Sequence, residues 1–167
     1  IGGIINPDIE VIAELCKKEN IILLEDCAHS FGATLHGKHS GLFGDAGVYS
    51  FYATKAIPAG EGGVIVTNND KIGDRMAKYS IYDRFDQKLE VGSNIRISEV
   101  QALLTYSVMK EWETIIKNKQ LMAEQYIKVC KEKNIKYIAQ NRNGHYGNYY
   151  KFIIYTPQKH IVEVLPE

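Results

Sequence analysis

Ile21-Ile22-Leu23-Leu24 is an unbroken apolar run closed at once by the acidic pair Glu25-Asp26. So short a run suits a strand of a parallel sheet covered on both faces, whereas a helix needs a longer periodic pattern. Two further strands are predicted at Val48–Tyr52 and Gly63–Thr67. Between the first and second lies a glycine-rich passage (Gly32, Gly37, Gly41, Gly44, Gly47) whose lack of periodicity reads as loop and turns. Upstream, Asn6-Pro7-Asp8 starts a helix on which Ile9, Ile12, Ala13 and Cys16 recur at helical spacing, with Lys17 and Lys18 in its last turn. Downstream, Asn68-Asn69 marks a hairpin turn or a helix entry, and Asp70–Ser80 a helix. Helix, strand, loop, two strands and helix make an open α/β sheet whose strand order the pattern leaves undefined.

The second half differs in kind. Ser98 with Gln101 three residues on forms a capping box. A helical stretch follows to about Lys133, with a break predicted near Asn118. Ile135–Ile138 and Tyr149–Tyr155 then alternate like strands of a smaller α+β unit. The change falls within residues 108–120 and divides the chain into units 1–112 and 113–167.

Charge narrows the partners. Twenty basic residues balance 20 acidic ones without a run of either sign, which argues against a nucleic-acid or membrane-surface partner. No apolar segment approaches the roughly 20 residues of a bilayer span, and Ile1-Gly2-Gly3-Ile4-Ile5 lacks the basic region and cleavage site of a signal peptide. Cys16, Cys27 and Cys130 form no C-x-x-C pair and read as reduced core residues of a cytoplasmic protein. His36 and His39 lack a third ligand, so no metal is expected. Neither a P-loop nor a G-x-S-x-G elbow is present. The chain opens on isoleucine, directly at a helix signal, and closes at Leu165-Pro166-Glu167 shortly after a strand. A piece of a longer protein is expected.

The candidate chemistry lies where strands end. Asp26 closes the first strand, and Lys55 stands just past the second, in a loop that returns through Gly60-Glu61-Gly62-Gly63. An acid and an amine at neighbouring strand ends could grip the ring nitrogen and the carbonyl carbon of one flat heterocycle. Pyridoxal phosphate makes those demands: an amine for a Schiff base, a carboxylate that keeps its ring nitrogen protonated, and donors for its phosphate. Ser50, five residues before the lysine, could supply a hydroxyl to the phosphate. Each residue alone has an ordinary reading: an aspartate capping the next turn, a solvated lysine, a strand serine. Tyr146, Tyr149 and Tyr150 could line a substrate cleft or simply fill a strand.

Glu25-Asp26-Cys27-Ala28-His29, Gly44-Asp45, Ser50-Phe51-Tyr52-Ala53-Thr54-Lys55 and Gly60-Glu61-Gly62-Gly63 together resemble the core of the DegT/DnrJ/StrS sugar aminotransferases, fold-type-I pyridoxal-phosphate enzymes. Gly92-Ser93-Asn94-Ile95-Arg96-Ile97-Ser98-Glu99 is similar to their G-x-N-x-R-x-S/T stretch, and Tyr150-Lys151-Phe152-Ile153-Ile154 resembles a strand of their C-terminal domain. The resemblance implies the large-domain fold, a mainly parallel sheet with helices, followed by the start of a small α+β domain. It also implies residue roles. Lys55 would form the Schiff base and Asp26 would bond the ring nitrogen. Ala28 would pack on the ring face, His29 would lie near the 3-hydroxyl, and Ser50 would bind the phosphate. Asn94 would reach the phosphate of a neighbouring subunit in a homodimer, and Arg96 would order that loop.

The reaction so implied moves an amino group from an amino donor, usually glutamate, to a nucleotide-linked keto-sugar in amino-sugar, polysaccharide or antibiotic biosynthesis. Lys55, when neutral, would carry the proton. Family members are about twice this length, with a Gly-Thr or Gly-Ser phosphate contact and a ring-stacking aromatic upstream, and a His-Tyr-x-Pro segment downstream. The rival expectation is a regulatory or interaction protein that keeps the fold without the catalysis.

Overall fold

The computed structural model describes residues 1–80 and 92–155. The expected chain end at Leu165-Pro166-Glu167, and the second unit beyond residue 155, lie outside the described residues. In chain order the elements are α1 (Ile9–Lys18), β1 (Leu24–Asp26), β2 (Thr34–Leu35), β3 (Lys38–His39), β4 (Ala46–Ser50), β5 (Gly63–Val66), α2 (Asp70–Ser80), α3 (Glu99–Met109), α4 (Trp112–Glu132), β6 (Lys136–Tyr137), β7 (His145–Tyr146) and β8 (Ile154–Tyr155).

The central sheet has the order β1-β4-β5. β1 runs parallel to β4 with Asp26 opposite Val48, and β5 returns antiparallel with Gly63 opposite Ser50. Asp26, Val48 and Ser50 therefore share one face, because side chains alternate and registered partners point the same way. Glu25 and Tyr49 point to the other face and are buried, whereas Asp26 and Val48 are exposed. The first strand begins later than the apolar run suggests, and Ile21, Ile22 and Leu24 are exposed. Cover on both faces is thus not found among the described residues. Instead, Leu24, Val64, Ile65 and residues of α2 line an apolar trough of about 1190 Å³.

The glycine-rich passage is more ordered than loop. His36 and Gly37, at φ 51° and 80°, make the two-residue turn of a β2–β3 hairpin, and left-handed values at both positions match the twist of its strands. β7 pairs on the other edge of β2, joining the second half of the chain to the first. Ile5, Ile9, Ala33, Leu35 and Phe43 form one buried cluster under this hairpin.

Helix ends follow local chemistry closely. After α1, Asn20 takes φ 54° and Ile21 N donates to Cys16 O at 2.8 Å. After α4, Asn134 takes φ 54° and Ile135 N donates to Cys130 O at 2.7 Å. Both are Schellman stops, in which a left-handed residue lets the chain cap the last carbonyls. At the start of α3, Ser98 Oγ accepts from Gln101 N at 3.2 Å, half of the expected box. The Gln101 side chain turns away and donates to Ala59 O. The Asn69 side chain caps α2 through Lys71 N and Ile72 N, which makes Asn68-Asn69 a helix entry.

The helical stretch breaks at Lys110-Glu111, and Asn118 lies within α4. Packing explains the earlier break. It lets Trp112 meet Phe31 edge-on at 5.9 Å and join Val108, Met109 and Ile115 around the buried Phe51, Ile57 and Ala59. β6 and β8 pair antiparallel beyond α4, within the two stretches expected to be strands. Among the described residues no helix is long and apolar enough to cross a membrane, and all three cysteines are free.

Candidate active site

The Lys55 loop is held at its base. Phe51 N donates to Gly62 O, Ala53 N to Gly60 O, Lys55 N to Tyr52 O and Ala59 N to Phe51 O, all at 2.8–2.9 Å. Gly60 and Gly62 take φ +89° and +129°, values an L side chain would strain, and this lets the chain fold back on β4. Ile57 is fully buried two residues after the lysine, and full burial of such a side chain contributes about 1.5–3 kcal/mol. Lys55 is therefore presented by a rigid loop at the carboxyl end of β4.

Asp26 ends the neighbouring strand. Its Oδ1 accepts from Ala28 N at 3.0 Å, the turn-capping contact. No protein donor among the described residues meets its second oxygen. Beneath it, the Glu25 carboxylate accepts from Gly41 N (2.8 Å), Phe43 N (2.6 Å) and Gly44 N (2.7 Å), tying the following loop under the strand end.

The next turn is clamped from far along the chain. Asn148, wholly buried, donates to His29 O at 2.9 Å and Phe31 O at 2.8 Å, and its Oδ1 accepts from Tyr150 N at 2.8 Å. Gln140, also buried, accepts from Tyr149 N and donates to Gly2 O and Lys151 O. These amides bring Tyr150 to the strand ends. Its ring lies 4.5 Å from that of His29, and Lys55 Nζ sits 5.6 Å from its centroid. Its hydroxyl is 3.5 Å from Thr54 Oγ1. That hydrogen bond, joined by the charges of Lys151, Lys55 and Lys119, lowers the Tyr150 pKa from its ordinary 10.0.

Burial and then the Lys55 charge push the His29 pKa below its ordinary 6.5, with Asp26 acting in the opposite direction. The acid and the amine thus both act on one imidazole. His29 Nδ1 accepts from Gly2 N at 3.4 Å, so the ring is neutral with its proton on Nε2. At pH values between the lowered value and 6.5 the unfolded chain binds the extra proton. Stability from this group is therefore complete above 6.5 and is lost as pH falls through the folded value. An NMR titration of His29 Cε1–H is expected to show its midpoint below 6.5; a midpoint above 6.5 would contradict this environment.

The structure brings Asp26, Ala28, His29 and Lys55 together, with Ser50 on the same strand end. Ser50 Oγ accepts from Tyr52 N at 3.2 Å, leaving its own proton to donate. Asn94 is not brought to this group: it is exposed, and its Oδ1 accepts from Arg96 Nε at 3.1 Å. Among the described residues no cluster of three metal-ligating side chains occurs; His36 instead faces Glu10 at 3.5 Å. Sequence reasoning missed Glu25, Gln140 and Asn148. Glu25 had a readable signal, because a neighbour of a ligand-facing strand residue must point into the protein. Asn148 and Gln140 had none, since their partners lie up to 138 residues away.

These residues fit pyridoxal phosphate. One carboxylate oxygen of Asp26 is left over for a ring N–H, the imidazole offers a donor, and the lysine loop is preformed at the adjacent strand end.

Comparison with known proteins places the chain in one family. The model of the DegT/DnrJ/EryC1/StrS aminotransferase family matches residues 1–166. GDP-perosamine synthase of Escherichia coli O157:H7 is 32% identical over 138 residues, which make up 80% of this chain and 36% of that protein. A pleiotropic regulatory protein of Geobacillus stearothermophilus is 26% identical over 157 residues, 91% of this chain and 42% of that protein. Among solved structures, PseC of Helicobacter pylori, an aminotransferase of pseudaminic acid biosynthesis, superposes with a TM-score of 0.83 at 25% identity, over 95% of this chain and 45% of that one. The chain spans less than half the length of these relatives.

Proposed function

Because the chain belongs to the DegT/DnrJ/EryC1/StrS aminotransferase family, we propose that the protein it represents is a pyridoxal-phosphate-dependent aminotransferase. Its substrates are glutamate as amino donor and a nucleotide-linked keto-sugar as acceptor, in amino-sugar, polysaccharide or antibiotic biosynthesis. The observation that carries this reading is that Asp26 and Lys55, from the ends of two adjacent parallel strands, both act on His29, with His29 and Lys55 lying against the Tyr150 ring. The names of relatives support it: one is a GDP-perosamine synthase and another a dTDP-3-amino-3,4,6-trideoxy-alpha-D-glucose transaminase.

When bound, pyridoxal phosphate supplies an electron sink that stabilises negative charge at the donor's α-carbon. The protein's part is positional. Asp26 would keep a proton on the ring nitrogen through its spare oxygen, and Ala28 would pack against the ring face. His29 would offer Nε2–H to the 3-hydroxyl, and Ser50 its hydroxyl to the phosphate. The Lys55 amine would hold the group and, when free and neutral, would take up the proton of the donor's α-carbon. The reading further assigns Asn94 to the phosphate of a second subunit, in a cytoplasmic homodimer whose two chains share each site. The division at residues 1–112 and 113–167 belongs to this proposal, with α4 leading from the cofactor-binding domain into the smaller one.

A second reading keeps the fold without the catalysis, and the regulatory relative favours it. Borohydride reduction of the full-length protein purified with pyridoxal phosphate, followed by peptide mass mapping, separates the two. A pyridoxyl adduct on Lys55 is the expected result; its absence would favour the regulatory reading.

A further inference from the structure

Two ammonium groups, not one, stand over the Tyr150 ring. Lys55 Nζ lies 5.6 Å and Lys151 Nζ 4.9 Å from its centroid. The Lys151 backbone is fixed on both sides: its N–H donates to Gly2 O at 3.0 Å, and its carbonyl accepts from Gln140 Nε2 at 3.0 Å. The side chain, by contrast, is exposed and meets no carboxylate among the described residues. Lys119, half-buried on α4, adds a third positive charge acting on the same hydroxyl, likewise without a carboxylate partner there.

Asp26 is the carboxylate of this group, and in the reading above it is taken by the ring nitrogen. His29 is neutral and cannot offset a charge of either sign. Lys55 gives up its ammonium on joining the cofactor, whereas Lys151 keeps its own. A cation with no carboxylate partner among the described residues, beside a reaction centre and on backbone that cannot swing away, calls for an anion that arrives with the substrate.

Resting on the aminotransferase reading, we propose that Lys151 is a substrate-binding residue that receives the anionic oxygens of a substrate over the Tyr150 ring. Those oxygens come from either the carboxylate of the amino donor or the diphosphate of the nucleotide-linked acceptor. Both substrates enter the same cleft in turn, so one cation can be tested against both.

The test uses the full-length protein with Lys151→Gln and Lys151→Arg, and Lys18→Gln on the exposed end of α1 as control. Glutamate is followed in a half-reaction by the cofactor's absorbance, and GDP, UDP and dTDP serve as diphosphate probes that inhibit it. Lys151→Gln is expected to raise either the glutamate KM or the Ki of a nucleotide about ten-fold, as for loss of one charge-assisted hydrogen bond, with less than about two-fold change in the saturated rate. Lys151→Arg should restore the affected constant. A rise in the glutamate KM assigns the carboxylate, and a rise in a Ki assigns the diphosphate. Unmoved constants, or a change confined to retention of pyridoxal phosphate, would overturn the proposal. Mapping the borohydride adduct in the unsubstituted protein keeps the failures apart. No adduct on Lys55 removes the aminotransferase reading and this inference together; an adduct with unmoved constants removes this inference alone.

Discussion

Lys55→Arg is expected to lower turnover by at least about a thousand-fold and to abolish the borohydride-trapped adduct. Arginine keeps a cation near the Tyr150 ring, a contact worth about 0.5–1 kcal/mol, so the loop should fold as before. It cannot form the reversible bond to the cofactor's carbonyl carbon. It also stays protonated at any working pH, so it cannot collect a proton from the donor's carbon. The loop's own hydrogen bonds run through backbone atoms of Phe51, Ala53, Lys55 and Ala59, none of which the substitution touches. Thermal unfolding should therefore shift by no more than about 2 °C, the response to a change below 1 kcal/mol. The paired result, chemistry lost with the fold intact, separates a reacting amine from a structural one. Turnover within ten-fold of the parent would mean that the proton travels through another group.

The second large effect concerns stability. Glu25→Leu is expected to cost about 3–5 kcal/mol, because it strands the buried N–H groups of Gly41 and Phe43 and the part-buried one of Gly44. Glu25→Gln keeps an acceptor oxygen and should lose about half as much. The apparent unfolding midpoint of the full-length protein reads both. The loop these bonds hold is packed without slack: a Cβ on Gly44 would run into the Leu23 carbonyl, and one on Gly47 into the backbone of Gly41. Slackening it also loosens the strand end beside Asp26, so retention of pyridoxal phosphate should fall with the midpoint. A Glu25→Leu protein within about 1 kcal/mol of the parent would show that water reaches those donors.

Much of the chain's local order was readable because its causes are local. Pro7 and Asp8 before an apolar period, the Asn69 side chain ahead of α2 and the Ser98 hydroxyl ahead of α3 act within a few residues. Asp26, Ser50 and Lys55 could be singled out because chemistry at strand ends needs those residue types. Errors arose where distant packing competes with local preference. Trp112 pulls the helix break away from Asn118 in order to reach Phe31. Gln101 leaves its capping partner for Ala59 O, across 42 positions of chain. The hairpin at His36-Gly37 was hidden because its strands have two residues each, too few to show alternation.

Residue order along the chain was enough to establish an α/β protein, most of its helix ends but not the break between α3 and α4, and an acid and an amine at successive strand termini. These follow from backbone chemistry and hydrophobic period, which operate over one or two turns of chain. That the acid and amine both act on His29, beside Tyr150 and Lys151, depended on Asn148 and Gln140. Their buried amides reach backbone groups more than a hundred residues away, and only the packed chain brings those groups within hydrogen-bonding distance.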